Sequence, residues 1–256
     1  MNNAFAPAHE AGAGQLPVSL KNNPYIDGWL SLAKDGCIDV YTGKVELGQG
    51  IVTALAQIVA DELLVNIALV RMVPASTRYS PNESITSGSL SVQHSGLSLR
   101  AVCAQVRKLF VEAAARKFNV APSTVTVLNG QFVSDGRACG SYWQLAGDVD
   151  LHVSAEIPDA RLASKRRAYV GTNYRPFGLE QKTQGIYPFI HDLAMECLAH
   201  GRVLRPPSPY AVLGDLDLAG WRSIAGVVRI VRDGSLIGVI DEQEYIAERL
   251  LQQITR

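Results

Sequence analysis

The run Lys44-Val45-Glu46-Leu47-Gly48-Gln49-Gly50-Ile51-Val52-Thr53 decides how the chain is read. Two glycines bracket one amide side chain where a strand-like pattern gives way to a helix-like one. Glycine admits backbone dihedrals that other residues avoid and lets a ligand come close. A helix starting at Ile51 would aim unpaired N–H groups and partial positive charge at whatever occupies the turn, which suits an anionic or oxo-rich group. Gln49 adds a neutral side chain that donates and accepts at once. The plain alternative is a tight strand-to-helix turn in which the glycines serve geometry and Gln49 faces water. A dinucleotide-binding turn is excluded. Thr53 stands where the third glycine belongs, and the strand-like Leu69-Val70-Arg71-Met72-Val73 runs into Pro74 without the acidic residue expected about 20 positions on.

Working outward, residues 1–27 are rich in Ala, Gly, Pro and Asn and read as an irregular arm. Lys34-Asp35-Gly36 between two strand-like runs predicts a hairpin, and Asn129-Gly130 predicts a second. Residues 51–64 predict a helix apolar nearly all round, with Asp61 and Glu62 as its only charges, at the end the helix dipole disfavours. Residues 74–96 read as a polar loop. Residues 97–118 predict a helix with Leu99, Val102, Val106, Leu109, Phe110, Ala113 and Phe118 on one face and Arg100, Gln105, Arg107, Lys108 and Glu112 on the other. Residues 143–149 suggest a short helix and residues 150–168 a polar linker. Beyond it the pattern predicts strands over 189–192 and 200–205, a helix over 215–224, a hairpin about Asp233-Gly234 and a closing helix over 242–254. The fold class is α+β, with a larger module over 28–150, a linker over 151–168 and a smaller module over 169–256.

The chain has 256 residues, 47% hydrophobic and 19% charged, with zero formal net charge, which argues against a nucleic-acid or anionic-membrane surface. The Lys165-Arg166-Arg167 cluster reads as solvated linker charge. The four cysteines have no paired spacing, which leaves buried reduced thiols as the default and offers no metal ligand set. His94 has no partner at ligand spacing, and His191 and Asp192 receive no chemical role. No run has the length of a membrane span or of a signal-peptide core.

Several separated motifs together carry a resemblance: Leu16-Pro17-Val18-Ser19-Leu20-Lys21-Asn22-Asn23-Pro24, then Gly43-Lys44-Val45-Glu46-Leu47-Gly48-Gln49-Gly50, then Thr86-Ser87-Gly88-Ser89-Leu90-Ser91. In this order they resemble the start of a molybdopterin-binding large subunit of the isoquinoline 1-oxidoreductase and nicotinate dehydrogenase type, within the xanthine dehydrogenase and aldehyde oxidase family. Phe189-Ile190-His191-Asp192-Leu193 and His200-Gly201-Arg202-Val203-Leu204-Arg205-Pro206-Pro207-Ser208-Pro209 resemble the opening of that family's α/β-hammerhead-like domain. Met195-Glu196-Cys197-Leu198-Ala199 departs from the pattern, standing where related sequences place a Pro-Gly turn.

The resemblance implies a molybdenum hydroxylase acting on N-heteroaromatic compounds or aldehydes with water as oxygen source. It implies a molybdopterin-type molybdenum cofactor in dinucleotide form, iron–sulfur clusters on a small partner subunit, and a cytoplasmic location, with export alongside a signal-bearing partner as the route to the periplasm. Gln49 would hydrogen-bond a molybdenum oxygen ligand, Gly48 and Gly50 would let the backbone reach the metal's end of the cofactor, and Ser87, Gly88 and Ser89 would meet the pterin or its phosphate. An ordinary polar loop is the alternative for Ser87-Gly88-Ser89.

Family subunits are much longer, and their Phe-Gly-Gly loop and glutamate base have no recognisable match here. The chain therefore corresponds to about the first third of such a subunit, with the remainder of the subunit as an implied partner. A catalytically inactive fragment, at most a partner-binding module, is the competing reading. As a fragment it should leave one face of the 51–64 helix uncovered.

Overall fold

The computed structural model describes residues 15–157, 167–224 and 227–254. The chain divides into two units, Met1–Tyr187 and Pro188–Arg256. Most of the expected arm and part of the expected linker, with Lys165 and Arg166 of the basic cluster, lie outside the described residues.

In the first unit, the described part of the arm is packed rather than irregular. Helix α1, Val18–Asn22, and a 3-10 turn at Ile26–Gly28 place Leu20 and Ile26 wholly inside the core. Ile26 and Asp27 donate their N–H groups to Val153 and Leu151, and Ala155 donates to Pro24. The start of the polar 150–168 stretch is thus tied to the chain's beginning by backbone bonds, which composition does not reveal.

Strands β1, Leu30–Leu32, and β2, Ile38–Val40, pair antiparallel around Asp35-Gly36, where Gly36 takes φ +84°. Helix α2, Ile51–Leu63, lies between β2 and strand β3, Val70–Met72. β3 pairs parallel to β2, and such pairing requires a crossover of this kind. Helix α3, Leu97–Phe118, packs against α2 and is entered through a π-type turn at Val92–Gly96, inside the expected loop.

Strands β4, Val125–Leu128, β5, Gln131–Ser134, and β6, Arg137–Ser141, form a second antiparallel sheet. Asn129-Gly130 and Asp135-Gly136 turn its two hairpins with positive φ at both positions of each turn. That is the geometry in which a two-residue loop matches strand twist. The expected helix over 143–149 is a single 3-10 turn, Ala146–Asp148.

The core joins Trp29, Phe110, Phe132 and Tyr142, all fully buried. Tyr142 packs edge-on against Phe110 and Phe132 at 5.0 and 4.9 Å and gives its hydroxyl to the Leu63 carbonyl. α3 is covered more widely than one stripe. Gln105 is buried because its side chain bonds the Ser154 carbonyl and the Glu156 N–H, while Phe118, at the helix end, is exposed. Of the cysteines, Cys103 and Cys139 are buried, Cys37 is half-buried and Cys197 is exposed. Burial first and the Glu62 carboxylate second push the Cys103 thiol up, so it stays protonated.

The expectation of an uncovered α2 face is not met: every residue from Ile51 to Leu63 is buried or half-buried. One side meets α3. Another meets a strap over residues 168–177. Asp61 accepts the N–H groups of Ala168, Tyr169 and Val170, Gln57 donates to the Tyr169 carbonyl, and Thr53 accepts the Phe177 N–H. Thr53, Gln57 and Asp61 recur every four residues and form one polar stripe. The strap continues into helix α4, Leu179–Thr183. The first unit therefore extends past the expected linker, because Ala168, Tyr169, Val170 and Phe177 place backbone groups on α2 side chains.

The second unit holds a three-stranded antiparallel sheet of strands β7, His200–Leu204, β8, Val227–Asp233, and β9, Leu236–Asp241, in the order β7-β9-β8. Helix α5, Ala219–Arg222, is shorter than expected, and helix α6, Glu244–Ile254, closes the unit. Its core gathers Leu218, Ile230, Ile237, Val239, Ala247 and Leu250. Residues 189–192 are not a strand. They hold a 3-10 turn, Ile190–Asp192, with Ile190 three-quarters exposed, and it is β7 that takes the edge of β9.

Candidate functional site

The turn before α2 takes the shape its glycines permit. Gly48 and Gly50 adopt φ +99° and +81°, and the space a Cβ would fill beside each is open. Gln49 is exposed, and its amide folds over its own turn. Oε1 accepts the Leu47 N–H at 2.6 Å and Nε2 donates to the Val45 carbonyl at 3.0 Å. A primary amide has two N–H groups, so one donor remains on an amide whose orientation the turn already fixes.

The start of α2 is not an open anion site, contrary to the sequence expectation. Glu46 fills it. Its Oε1 accepts the N–H groups of Gly48 and Gly50 at 2.9 and 3.0 Å, and its Oε2 lies 3.4 Å from the Val52 nitrogen as acceptor. Lys182 of α4 sits 3.2 Å from the same carboxylate, with both side chains largely covered. Burial alone would push the Glu46 carboxyl up. The Gly50 N–H, the Lys182 ammonium and the Gly48 N–H together outweigh it and hold the group below its ordinary value. The local sequence signal for this role is the spacing of Glu46, two residues before Gly48 and four before Gly50.

The two segments named from sequence are brought together. Val45 donates its N–H to the Thr86 hydroxyl, and Lys44 sends its ammonium to the carbonyls of Glu83 and Ile85 at 2.7 and 2.9 Å. Glu83, buried, accepts from the Thr42 hydroxyl, the Gly43 N–H and the Ser95 hydroxyl. Gly43 must be glycine for this approach, because a Cβ there would lie 2.4 Å from the Pro81 carbonyl oxygen. Neither Lys44 nor Glu83 stood out in the sequence, since each is ordinary alone and their pairing spans two loops.

Ser87, Gly88 and Ser89 are all exposed, one residue beyond the Thr86 contact. Gly88 and Ser89 take φ +65° and +57°, and the second is uncommon for serine. A cleft of about 360 Å³ opens nearby, lined among others by Gly43, Val45, Ser76, Ser80, Asn82 and Ser84. It is bordered by the same loops, but Gly48, Gln49, Gly50, Ser87, Gly88 and Ser89 do not line it.

The arrangement offers one neutral donor, the second Gln49 amide N–H, on an exposed, glycine-opened turn and hydroxyls on the loop bonded beside it. That donor set fits an oxygen-rich polar group approached from outside. It does not fit an anion lodged at the end of α2, where Glu46 already sits. Among the described residues no group of His, Cys, Asp and Glu could hold a metal ion, and no helix is long and apolar enough to cross a membrane.

Comparison with known proteins adds to this geometry. Residues 4–189 match the molybdopterin cofactor-binding domain family. A nicotinate dehydrogenase subunit of Pseudomonas putida is 28% identical over 88% of this chain and 20% of its own length. A membrane-bound aldehyde dehydrogenase (pyrroloquinoline-quinone) of Gluconacetobacter polyoxogenes is 30% identical over 78% of the chain and 27% of its own length. The beta subunit of isoquinoline 1-oxidoreductase from Brevundimonas diminuta is 28% identical over 48% of the chain and 17% of its own length. The chain thus spans about a quarter or less of each of these relatives.

Proposed function

Because the chain belongs to the molybdopterin cofactor-binding domain family, we propose that it forms one wall of the cofactor site of a molybdenum hydroxylase. The substrates proposed are N-heteroaromatic compounds or aldehydes, after the names of the nicotinate, isoquinoline and aldehyde enzymes it resembles. The observation that carries this reading is the exposed Gly48-Gln49-Gly50 turn, linked through Val45 and Thr86 to the loop of Ser87, Gly88 and Ser89. When bound, a molybdenum cofactor supplies oxidation of a C–H group with oxygen drawn from water.

The residues of the two loops would contribute binding and orientation. Gln49 presents the N–H not given to Val45, a donor that adds no charge beside an oxygen ligand. Gly48 and Gly50 leave room for close approach. Ser87 and Ser89 offer hydroxyls, and Gly88 a bare backbone, to the pterin or its phosphate in the dinucleotide form. The proton-accepting glutamate, the rest of the pocket and the iron–sulfur centres are assigned to sequence and a small subunit outside these 256 residues, and the assembly to the cytoplasm. The second unit is proposed as the α/β-hammerhead-like domain, supported by its three-stranded sheet with α6 against it.

On this reading the chain alone binds the cofactor weakly and turns over nothing, since a base must lie within hydrogen-bond reach of the proton it takes. The test is the affinity of the purified chain for isolated molybdenum cofactor. Gln49→Ala should weaken it roughly tenfold to hundredfold, the value of one hydrogen bond to a charged or strongly polar group. Equal affinity in the variant, with the fold intact, would remove Gln49 from the site.

A further inference from the structure

The Glu46 carboxylate bonds the turn that carries Gln49 and pairs with Lys182, a residue far along the chain. Glu46 takes the N–H groups of Gly48 and Gly50, the two residues flanking Gln49, so the conformation of the turn depends on where the carboxylate stays. Its side chain is 6% exposed, and the cation against it, Lys182, is 14% exposed. A covered carboxylate needs a partner to remain charged.

Lys182 is itself fixed from several sides. Its ammonium lies 4.8 Å over the Tyr187 ring. That ring packs so closely on Gly178 that a Cβ there would lie 2.6 Å from it. Just before α4, the Phe177 N–H is given to Thr53 in the first turn of α2. Among the described residues, Lys182 and Tyr187 are the ionisable groups that face Glu46, and the closeness of Glu46 also helps keep the Tyr187 hydroxyl protonated, after burial.

We propose that Lys182 is a positioning residue for Gln49: its ammonium anchors Glu46 at the start of α2, and the anchored carboxylate sets the turn that presents the Gln49 amide. The inference rests on the reading that Gln49 faces the cofactor. Removing the cation frees Glu46 to swing to water and releases the N–H groups of Gly48 and Gly50, while the strap stays on α2 through Asp61.

Amide hydrogen exchange on the full chain, followed residue by residue by NMR, tests this with Lys182→Met and Lys182→Arg. Methionine keeps the stem over Tyr187 and removes the charge. Lys182→Met should lower protection at Gly48 and Gly50 roughly tenfold or more, leave the Val170 N–H, held by Asp61, unchanged, and weaken cofactor binding. Lys182→Arg should restore both the protection at Gly48 and Gly50 and the cofactor binding. Unchanged protection at Gly48 and Gly50, or an equal loss at Val170, would overturn the inference, the second because it reports a general loss of stability. A loosened turn with undiminished cofactor affinity would also overturn it, provided Gln49→Ala does weaken binding. If Gln49→Ala has no effect, the cofactor reading fails, and with it the role of Lys182 as a positioning residue, while the exchange data still report whether Lys182 holds the turn.

Discussion

The two ends of α2 each carry buried carboxylates in opposite electrostatic settings. At the N-terminal end Glu46 sits where the helix dipole favours negative charge, takes the N–H groups of Gly48 and Gly50, and meets one cation, Lys182. At the C-terminal end the dipole opposes Asp61 and Glu62, and both are 5% exposed. They persist because their partners are stronger. Asp61 takes three backbone N–H groups from the strap, and Glu62 faces the guanidinium groups of Arg100 and Arg107 at 3.1 and 3.7 Å. One end uses its acid to shape an exposed, donor-bearing turn, whereas the other uses its acids to close the interior. The C-terminal end should therefore dominate stability, and the N-terminal end should dominate binding.

The largest effect expected is at Asp61. Asp61→Leu orphans three N–H groups on the strap and should lower unfolding free energy by about 3 kcal/mol or more, read as a shifted urea midpoint. A loss below about 1 kcal/mol would mean that the strap does not depend on this carboxylate. Glu62→Gln should follow with about 2 kcal/mol, since it leaves two guanidinium groups facing a neutral amide. A double-mutant cycle with Arg107→Met should recover part of that loss, and strict additivity would deny the pairing.

Glu46→Gln should cost about 1–2 kcal/mol at neutral pH. Because the folded carboxyl titrates below its ordinary value of 4.5, its stabilising contribution is present above that value and is lost as pH falls through the folded one. The variant should therefore lose less stability on acidification than the wild type, and parallel acid profiles would contradict the assignment. Gln49→Ala is the smallest stability change, within about 0.5 kcal/mol by thermal or urea unfolding, because the side chain is exposed. A larger loss would make Gln49 a structural residue.

What the sequence showed and what it hid divide along the same line. The Lys34-Asp35-Gly36 and Asn129-Gly130 turns, α2 and α3 were legible because their signals lie within a few residues. The β6 strand follows an equally local signal, the Asp135-Gly136 turn with positive φ at both residues. The strap was not legible. Thr53, Gln57 and Asp61 gain their meaning only from backbone N–H and carbonyl groups more than a hundred residues away. The juxtaposition of the Gly48-Gln49-Gly50 turn and the Ser87-Gly88-Ser89 loop was implied by resemblance. Its physical cause, the buried Lys44 and Glu83 contacts, has no sequence signature. Beside the expected anion site the local carboxylate of Glu46 takes the N–H groups of Gly48 and Gly50 and stands 3.4 Å from that of Val52.

The most direct measurement is NMR shift mapping of the labelled chain titrated with isolated molybdenum cofactor. The account predicts saturable shifts at the backbone amides of Gly48, Gln49, Gly50, Ser87, Gly88 and Ser89 and at the Gln49 side-chain amide. Shifts confined to the cleft around Ser76, Ser80 and Asn82, or none in the turn before α2, would contradict it.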